Sequence, residues 1–232
     1  MKYSVLFAIA AACACLQAQA QQIRSVEASA EDYIELLKTS GYQAYSFSLN
    51  DMTDATYDIV FDVREYAGGE LVSSNPGSSI RNRVMLDDFQ PEDYTPDEVA
   101  QIKEEAYDFD GGIFAFGDRI TIGFVPLADE SAVKCRMSVA NIGDATLRLD
   151  LKPVENELYP RPIYRYVSRP FKIESFAEGE FIPLVLYCSF WYDRKAGVVR
   201  CCGEQEIDPQ LTAQILKDSP HYYIIGATII RQ

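Results

Sequence analysis

The 232-residue chain carries 35 acidic residues against 21 basic ones, a net charge of −14 with its one histidine neutral. The average field of such a protein repels a polyanion, which argues against a nucleic-acid role. No H-E-x-x-H zinc motif, G-x-S-x-G elbow, P-loop or dinucleotide fingerprint occurs, so the common motif-bearing enzyme classes are disfavoured as well.

The N-terminus reads "MKYSVLFAIAAACACLQAQAQQ": Lys2, an apolar run from Tyr3 to Leu16, then the small-x-small motif Ala18-Gln19-Ala20. This layout predicts a signal peptide over residues 1–20, cleaved after Ala20. A lipoprotein reading at Cys13 or Cys15 competes less well, because Ala10-Ala11-Ala12 supplies no leucine before Cys13. The run falls short of the roughly 20 residues needed to cross a membrane, and no later segment is longer. The expectation is an exported, periplasmic or extracellular protein with no transmembrane segment in its mature chain. Residues 21–232 are expected to form a single β-rich domain, with Asp110-Gly111-Gly112 as the one candidate boundary.

Ser29-Ala30-Glu31-Asp32 has capping-box form ahead of Tyr33, Ile34 and Leu37, and predicts a short N-terminal helix over about 30–40, stopped by Gly41. Alternation then sets in. Tyr57, Ile59, Phe61 and Val63 share one strand face, opposite Asp58, Asp62 and Arg64. Gly68-Gly69 and Asn75-Pro76-Gly77 are read as turns. A mid-chain helix starts where Thr95 caps, Pro96 takes the first position and Glu98 closes the box, with Val99, Ile102 and Ala106 as its stripe.

Around this helix, residues 87–110 hold ten acids against Lys103 alone. The "DFDGG" at 108–112 partly resembles a calcium loop, but it lacks the third acidic ligand and the distal glutamate. A solvated helix with acidic flanks is the reading preferred, and no metal and no cofactor are assigned.

Alternation resumes at Ile120–Phe124, Val133–Val139 and Leu147–Leu151, with turn signals at Gly117-Asp118 and Asn141–Asp144. Phe181–Tyr192 and Tyr222–Ile230 are apolar on both faces and are expected to be central strands. Asp208-Pro209 is read as a third helix start, ended by Pro220. The pattern gives a mainly β (α+β) fold: an antiparallel β-sandwich-like core with a short N-terminal helix and a mid-chain helix.

Two constellations stand out. Tyr159–Lys172 carries four cations and no acid in a very acidic chain. Arg161, Arg165 and Arg169, with Tyr164 and Tyr166, are the candidate ligand-binding residues, since Arg forks suit carboxylates and Tyr faces suit sugar rings. In an extended chain the arginines and tyrosines lie on opposite faces, so the tyrosines are expected to pack inward from an edge strand or loop. The segment could equally protect an edge strand or neutralise the acidic stretch within the fold.

The other constellation is Cys135, Cys188, Cys201 and Cys202, taken as structural cysteines. A loop over Arg194–Gly197 pairs Asp193 with Val198, which makes Cys201 a diagonal neighbour of Cys188 at about 7–8 Å, long for a disulfide. Cys201 and Cys202 point to opposite faces and cannot converge on one metal. Packed thiols are favoured over a disulfide, with Cys135, Cys188 and Cys201 facing the core and Cys202 more exposed.

The ending "LQAQAQQ" of the leader, the acidic mature chain and the strand-rich body resemble small uncharacterised secreted proteins of Bacteroides-type bacteria, a domain-of-unknown-function group. That resemblance implies an exported role and carries over no site residue. The expected function is an exported, non-catalytic binding or scaffolding protein of the cell envelope, with a glycan or an envelope protein as partner. The alternative is a carboxylate-based hydrolase acting on extracellular glycans, which needs only two suitably spaced acids.

Overall fold

The alternating segments become an antiparallel, mainly β architecture in a computed structural model that describes residues 29–173, 175–201 and 203–232. The predicted leader and Cys202 lie outside the described residues. The chain divides at Leu36/Leu37 into two units, of which the second, Leu37–Gln232, is compact. Helix α1 covers Ala30–Thr39.

In the second unit, one four-stranded sheet has the order β1-β6-β7-β8, made of Gln43–Ser48, Arg119–Pro126, Ala132–Val139 and Gly143–Asp150. A five-stranded sheet has the order β3-β2-β13-β10-β9, made of Glu70–Arg81, Tyr57–Ala67, His221–Arg231, Phe181–Ser189 and Tyr166–Pro170. Their apolar faces share one core: Ile59, Phe61 and Val63 of β2 and Tyr223 and Ile225 of β13 meet Ile120, Ile122, Phe124, Cys135 and Met137. Strands β10 and β13 are buried almost throughout because the five-stranded sheet is covered on both sides. Its outer face carries a second core of Leu186, Cys188, Tyr222 and Ile224, capped by Phe171, Ile207, Ile215 and Leu216.

The edges of the two sheets are tied by polar contacts. The Tyr45 hydroxyl on β1 donates to the Ser168 carbonyl on β9 at 3.1 Å, and the Ser168 hydroxyl donates to the Gln43 amide oxygen. Strand β10 ends at Ser189, so the expected run to Tyr192 is split. Trp191–Asp193 (β11) pairs instead with Val198–Arg200 (β12), with Asp193 opposite Val198 and a loop over Arg194–Gly197 as the register argument requires. Gly197 at φ 66° supplies the left-handed turn residue.

Three sequence expectations are corrected. Asn75-Pro76-Gly77 is not a turn but part of β3, where Val60 pairs with Ser79 and Asp62 with Pro76. The extra β3 residue forms a bulge, and proline is tolerated because β3 is an edge strand. Asp208 does not start a helix: its carboxylate accepts the Gln210 N–H at 2.8 Å, and Leu211 turns to φ 61°. The helix there, α3, covers only Gln214–Asp218. Cys201 is half-buried rather than core-facing, because the chain has left β12 at Arg200.

Cys135, Cys188 and Cys201 are free thiols, and burial pushes the first two up to about 12. The mid-chain helix α2, Pro96–Glu105, forms with the expected cap. Thr95 N–H donates to Glu98 at 2.8 Å, and Glu98 N–H donates to the Thr95 hydroxyl at 3.4 Å. It belongs to a lobe between β3 and β6 that also holds the pair β4 and β5, Arg83–Met85 and Ile113–Phe116.

Candidate functional site

The basic aromatic segment runs into a cleft at the end of the sandwich that carries the β6–β7 turn. After β8 the chain crosses this end as a strap over residues 151–165, closed on itself where Val154 N–H donates to the Ile163 carbonyl at 2.8 Å. The strap then enters β9 at Tyr166. Beneath it lies a cleft of about 490 Å³. Leu151, Ile163, Tyr164 and Arg165 line it from the strap, Tyr166 and Tyr187 from the five-stranded sheet. Gln43, Pro126, Leu127 and Glu130 line it from β1 and the β6–β7 turn.

The tyrosines stand where they do for identifiable reasons. Phe124, Tyr187 and Tyr166 stack in sequence, with ring centroids 4.5 and 5.2 Å apart, so a column of rings runs from the inter-sheet core to the cleft wall. Tyr166 lies opposite Ser189 on β10, and the Ser189 hydroxyl accepts the His221 N–H at 3.3 Å. A small side chain between the two leaves room for the Tyr166 phenol to reach His221 Nδ1 at 2.6 Å. His221 Nε2 meets Glu65 Oε1 at 3.0 Å, and the Tyr166 oxygen accepts the Lys152 N–H at 2.9 Å.

These partners assign the protons. A phenol oxygen that accepts from Lys152 turns its O–H to Nδ1, which leaves the histidine proton on Nε2, donated to Glu65. Burial raises the Tyr166 phenol and keeps it protonated. At Glu65 burial is the largest influence and raises the carboxyl, but hydrogen bonds from His221 and Ser73 and the charge of Lys152 bring it below its usual value. His221 is only 3% exposed, so this Glu65–His221–Tyr166 chain sets the tyrosine rather than presenting an imidazole to solvent.

Among the described residues, Glu130 is the one carboxylate in the cleft wall. It takes φ 56°, in the left-handed region, at the end of a turn closed by its own N–H to the Leu127 carbonyl at 3.1 Å. A non-glycine residue there is uncommon and clusters at ligand sites. The cleft therefore offers tyrosine faces, one guanidinium, one carboxylate and the Gln43 amide. This set suits a hydroxyl-rich ring carrying an anionic group.

Of the sequence candidates, Tyr164, Arg165 and Tyr166 come together in the cleft. Neighbours 164 and 165 both reach it because that stretch is coil, so strand alternation does not separate them. Arg161 is exposed on the strap and outside the lining. Arg169 lies beside Cys188, donating to the Ser168 carbonyl at 2.9 Å. Sequence reasoning missed Gln43, Glu65, Glu130, Tyr187 and the positioning role of His221. The available hint was a lone histidine opening an apolar central strand.

Among the described residues, no group of three or more His, Cys, Asp or Glu is placed to hold a metal ion. In the "DFDGG" stretch the Asp108 carboxylate is used locally, accepting the Gly111 N–H at 3.0 Å. Nor does any described helix have the length and apolarity to cross a membrane. No curated protein and no solved structure matches the chain. Over residues 12–231 it matches the model of a domain of unknown function, DUF5041, and the chain belongs to that family.

Proposed function

We propose that this is an exported, non-catalytic binding protein of the cell envelope whose cleft takes a glycan bearing a carboxylate or another anionic group. The observation that carries the reading is the convergence of Tyr164, Tyr166, Tyr187 and Arg165 on one concave site of about 490 Å³. Export rests on the leader "MKYSVLFAIAAACACLQAQA" and on the likeness to secreted proteins of Bacteroides-type bacteria. Glycan hydrolysis is less well supported, since a glycosidase sets two carboxylates about 5–9.5 Å apart across the scissile bond. Among the described residues, the cleft wall carries Glu130 alone, and Glu65 is held behind Tyr166 by His221 and Ser73.

The test is retention on immobilised uronate-bearing and neutral polysaccharides, for the parent and for an Arg165→Ser/Tyr164→Ala variant. The parent is retained on the acidic matrices with a strength that falls with salt, and the variant passes through with its thermal midpoint little changed. A parent that passes through every matrix, or a variant retained as well as the parent, contradicts the reading.

A further inference from the structure

The cleft beneath the strap carries two charges of opposite sign on different walls, Arg165 from the strap and Glu130 from the β6–β7 turn. Both residues are exposed, and among the described residues neither is held in an ion pair, with the other or with a neighbour. The charges next to them in the chain are placed elsewhere. Asp129 pairs with Arg148 at 3.4 Å, and Lys38, Lys152 and the strap residues Glu155, Glu157 and Arg161 lie outside the lining.

The wall around Glu130 is negative for two reasons. Glu130 holds φ 56°, a conformation that glycine or asparagine adopts at lower cost, so its carboxylate stands there against the preference of the backbone. Beside it the C-terminal end of α1 contributes Thr39, Ser40 and Gly41 to the lining. A Cβ on Gly41 would come within 3.1 Å of the Pro126 ring, which places that helix end against the start of the same turn. A helix C-terminus carries partial negative charge and favours a cation. Tyr164, Tyr166 and Tyr187 add ring faces to the same cleft, and such faces attract an ammonium group.

A purely anionic ligand gains at Arg165 but is opposed by Glu130, and by the field of a chain whose net charge is −14. A neutral sugar uses neither charge. A ligand of both signs is favoured at both walls. We propose that the cleft selects a zwitterionic glycan, in which an acidic sugar held by Arg165 is joined to a hexosamine whose free, protonated amine meets Glu130. The inference rests on the glycan reading of the cleft and adds the amine to it. Arg165 takes the carboxylate in a two-bonded fork, while the ammonium lies between Glu130 and the tyrosine rings. N-acetylation of the hexosamine abolishes its charge and both of those attractions. An exposed ion pair changes affinity by up to about fivefold. With the ring contact added, the free amine is expected to strengthen binding about three- to tenfold.

The test is calorimetric titration at physiological salt with hyaluronan and heparosan oligosaccharides, which alternate glucuronate with N-acetylglucosamine, each in its native form and after N-deacetylation. The parent binds the deacetylated forms about three- to tenfold more tightly than the native ones. Glu130→Gln binds both forms equally, and Glu130→Gly does the same while suiting the left-handed backbone, so that loss of the preference is separated from loss of the fold. Arg165→Ser weakens both forms. Glu105→Gln, on helix α2, removes the same charge far from the lining and keeps the preference. Equal binding of the two forms by the parent, or a preference that survives Glu130→Gln, overturns the inference and leaves the glycan reading standing. A preference lost equally in Glu105→Gln overturns it in favour of the average field of the protein. Binding of neither form overturns it too, and retention on the uronate-bearing matrices then decides whether the glycan reading falls with it.

Discussion

Replacing His221 by phenylalanine removes both ends of the relay behind the cleft while preserving ring volume. Two bonds are lost: the neutral contact from the Tyr166 hydroxyl at 2.6 Å and the contact to Glu65 at 3.0 Å. A neutral hydrogen bond is worth about 0.5–1.5 kcal/mol net and one to a charged group about 1.5–3. Their sum places His221→Phe roughly 2–4.5 kcal/mol below the parent. For a domain of this size each kcal/mol lowers the midpoint by about 2–4 °C, so the expected fall is roughly 4–18 °C.

The specific content lies in the coupling. Denaturant unfolding of the parent, Tyr166→Phe, His221→Phe and the double variant should give an interaction energy of about 0.5–1.5 kcal/mol between the two positions. The pH dependence adds a second check. Glu65 is depressed in the folded state, so its contribution is complete above the usual value of 4.5 and is lost as pH falls through the lower folded-state value. Without His221 that depression shrinks, and the variant's stability should change less across the window below pH 4.5 than the parent's. Effects of Tyr166→Phe and His221→Phe that simply add, within about 0.3 kcal/mol, would refute the relay.

Three further outcomes are expected. In a Cys202→Ser background, native-state thiol labelling should modify half-buried Cys201 well before Cys135 and Cys188, whose burial raises both to about 12; faster labelling of Cys188 would contradict the second core. Gly226→Ala should cost at least about 1–3 kcal/mol by overpacking, because the new Cβ would come within 2.3 Å of the Ile182 carbonyl and 2.5 Å of the Phe181 ring, on which Arg64 stacks at 3.5 Å; an unchanged midpoint by calorimetry would show that β10 and β13 are not in this register. If the proposed export holds, mass spectrometry of the protein recovered outside the cytoplasm should find an N-terminus at Gln21; a lipidated N-terminus at Cys13 or Cys15 would refute the cleavage assignment.

What the sequence made legible was local. Alternation located β2, β6, β7 and β8, and the Thr95–Glu98 pair located α2, because each depends on residues within a few positions of one another. The loop over Arg194–Gly197 followed from which residue could take a positive φ. Asn75-Pro76-Gly77 misled because the same residue types serve turns and edge-strand bulges, and only the partner strand decides between them. Asp208 misled in a similar way, since an aspartate can close an Asx turn as well as cap a helix.

The site was half legible. Tyr164, Arg165 and Tyr166 stood out as a basic aromatic run in an acidic chain, but their partners come from far away. Glu65 and His221 are 156 residues apart, and Gln43 and Ser168 are 125 apart. The role of Ser189, a small residue that opens the space between a tyrosine and a histidine, depends on pairings across three strands. No periodicity within one segment encodes that.

The claim that the cleft binds a glycan is tested most directly by amide chemical-shift mapping while uronate-bearing oligosaccharides are titrated into the isotope-labelled protein. The account predicts saturable shifts concentrated at Gln43, Leu127–Glu130 and Tyr164–Tyr166, abolished in Arg165→Ser/Tyr164→Ala. Shifts centred elsewhere on the protein, or none from any oligosaccharide tried, would contradict it.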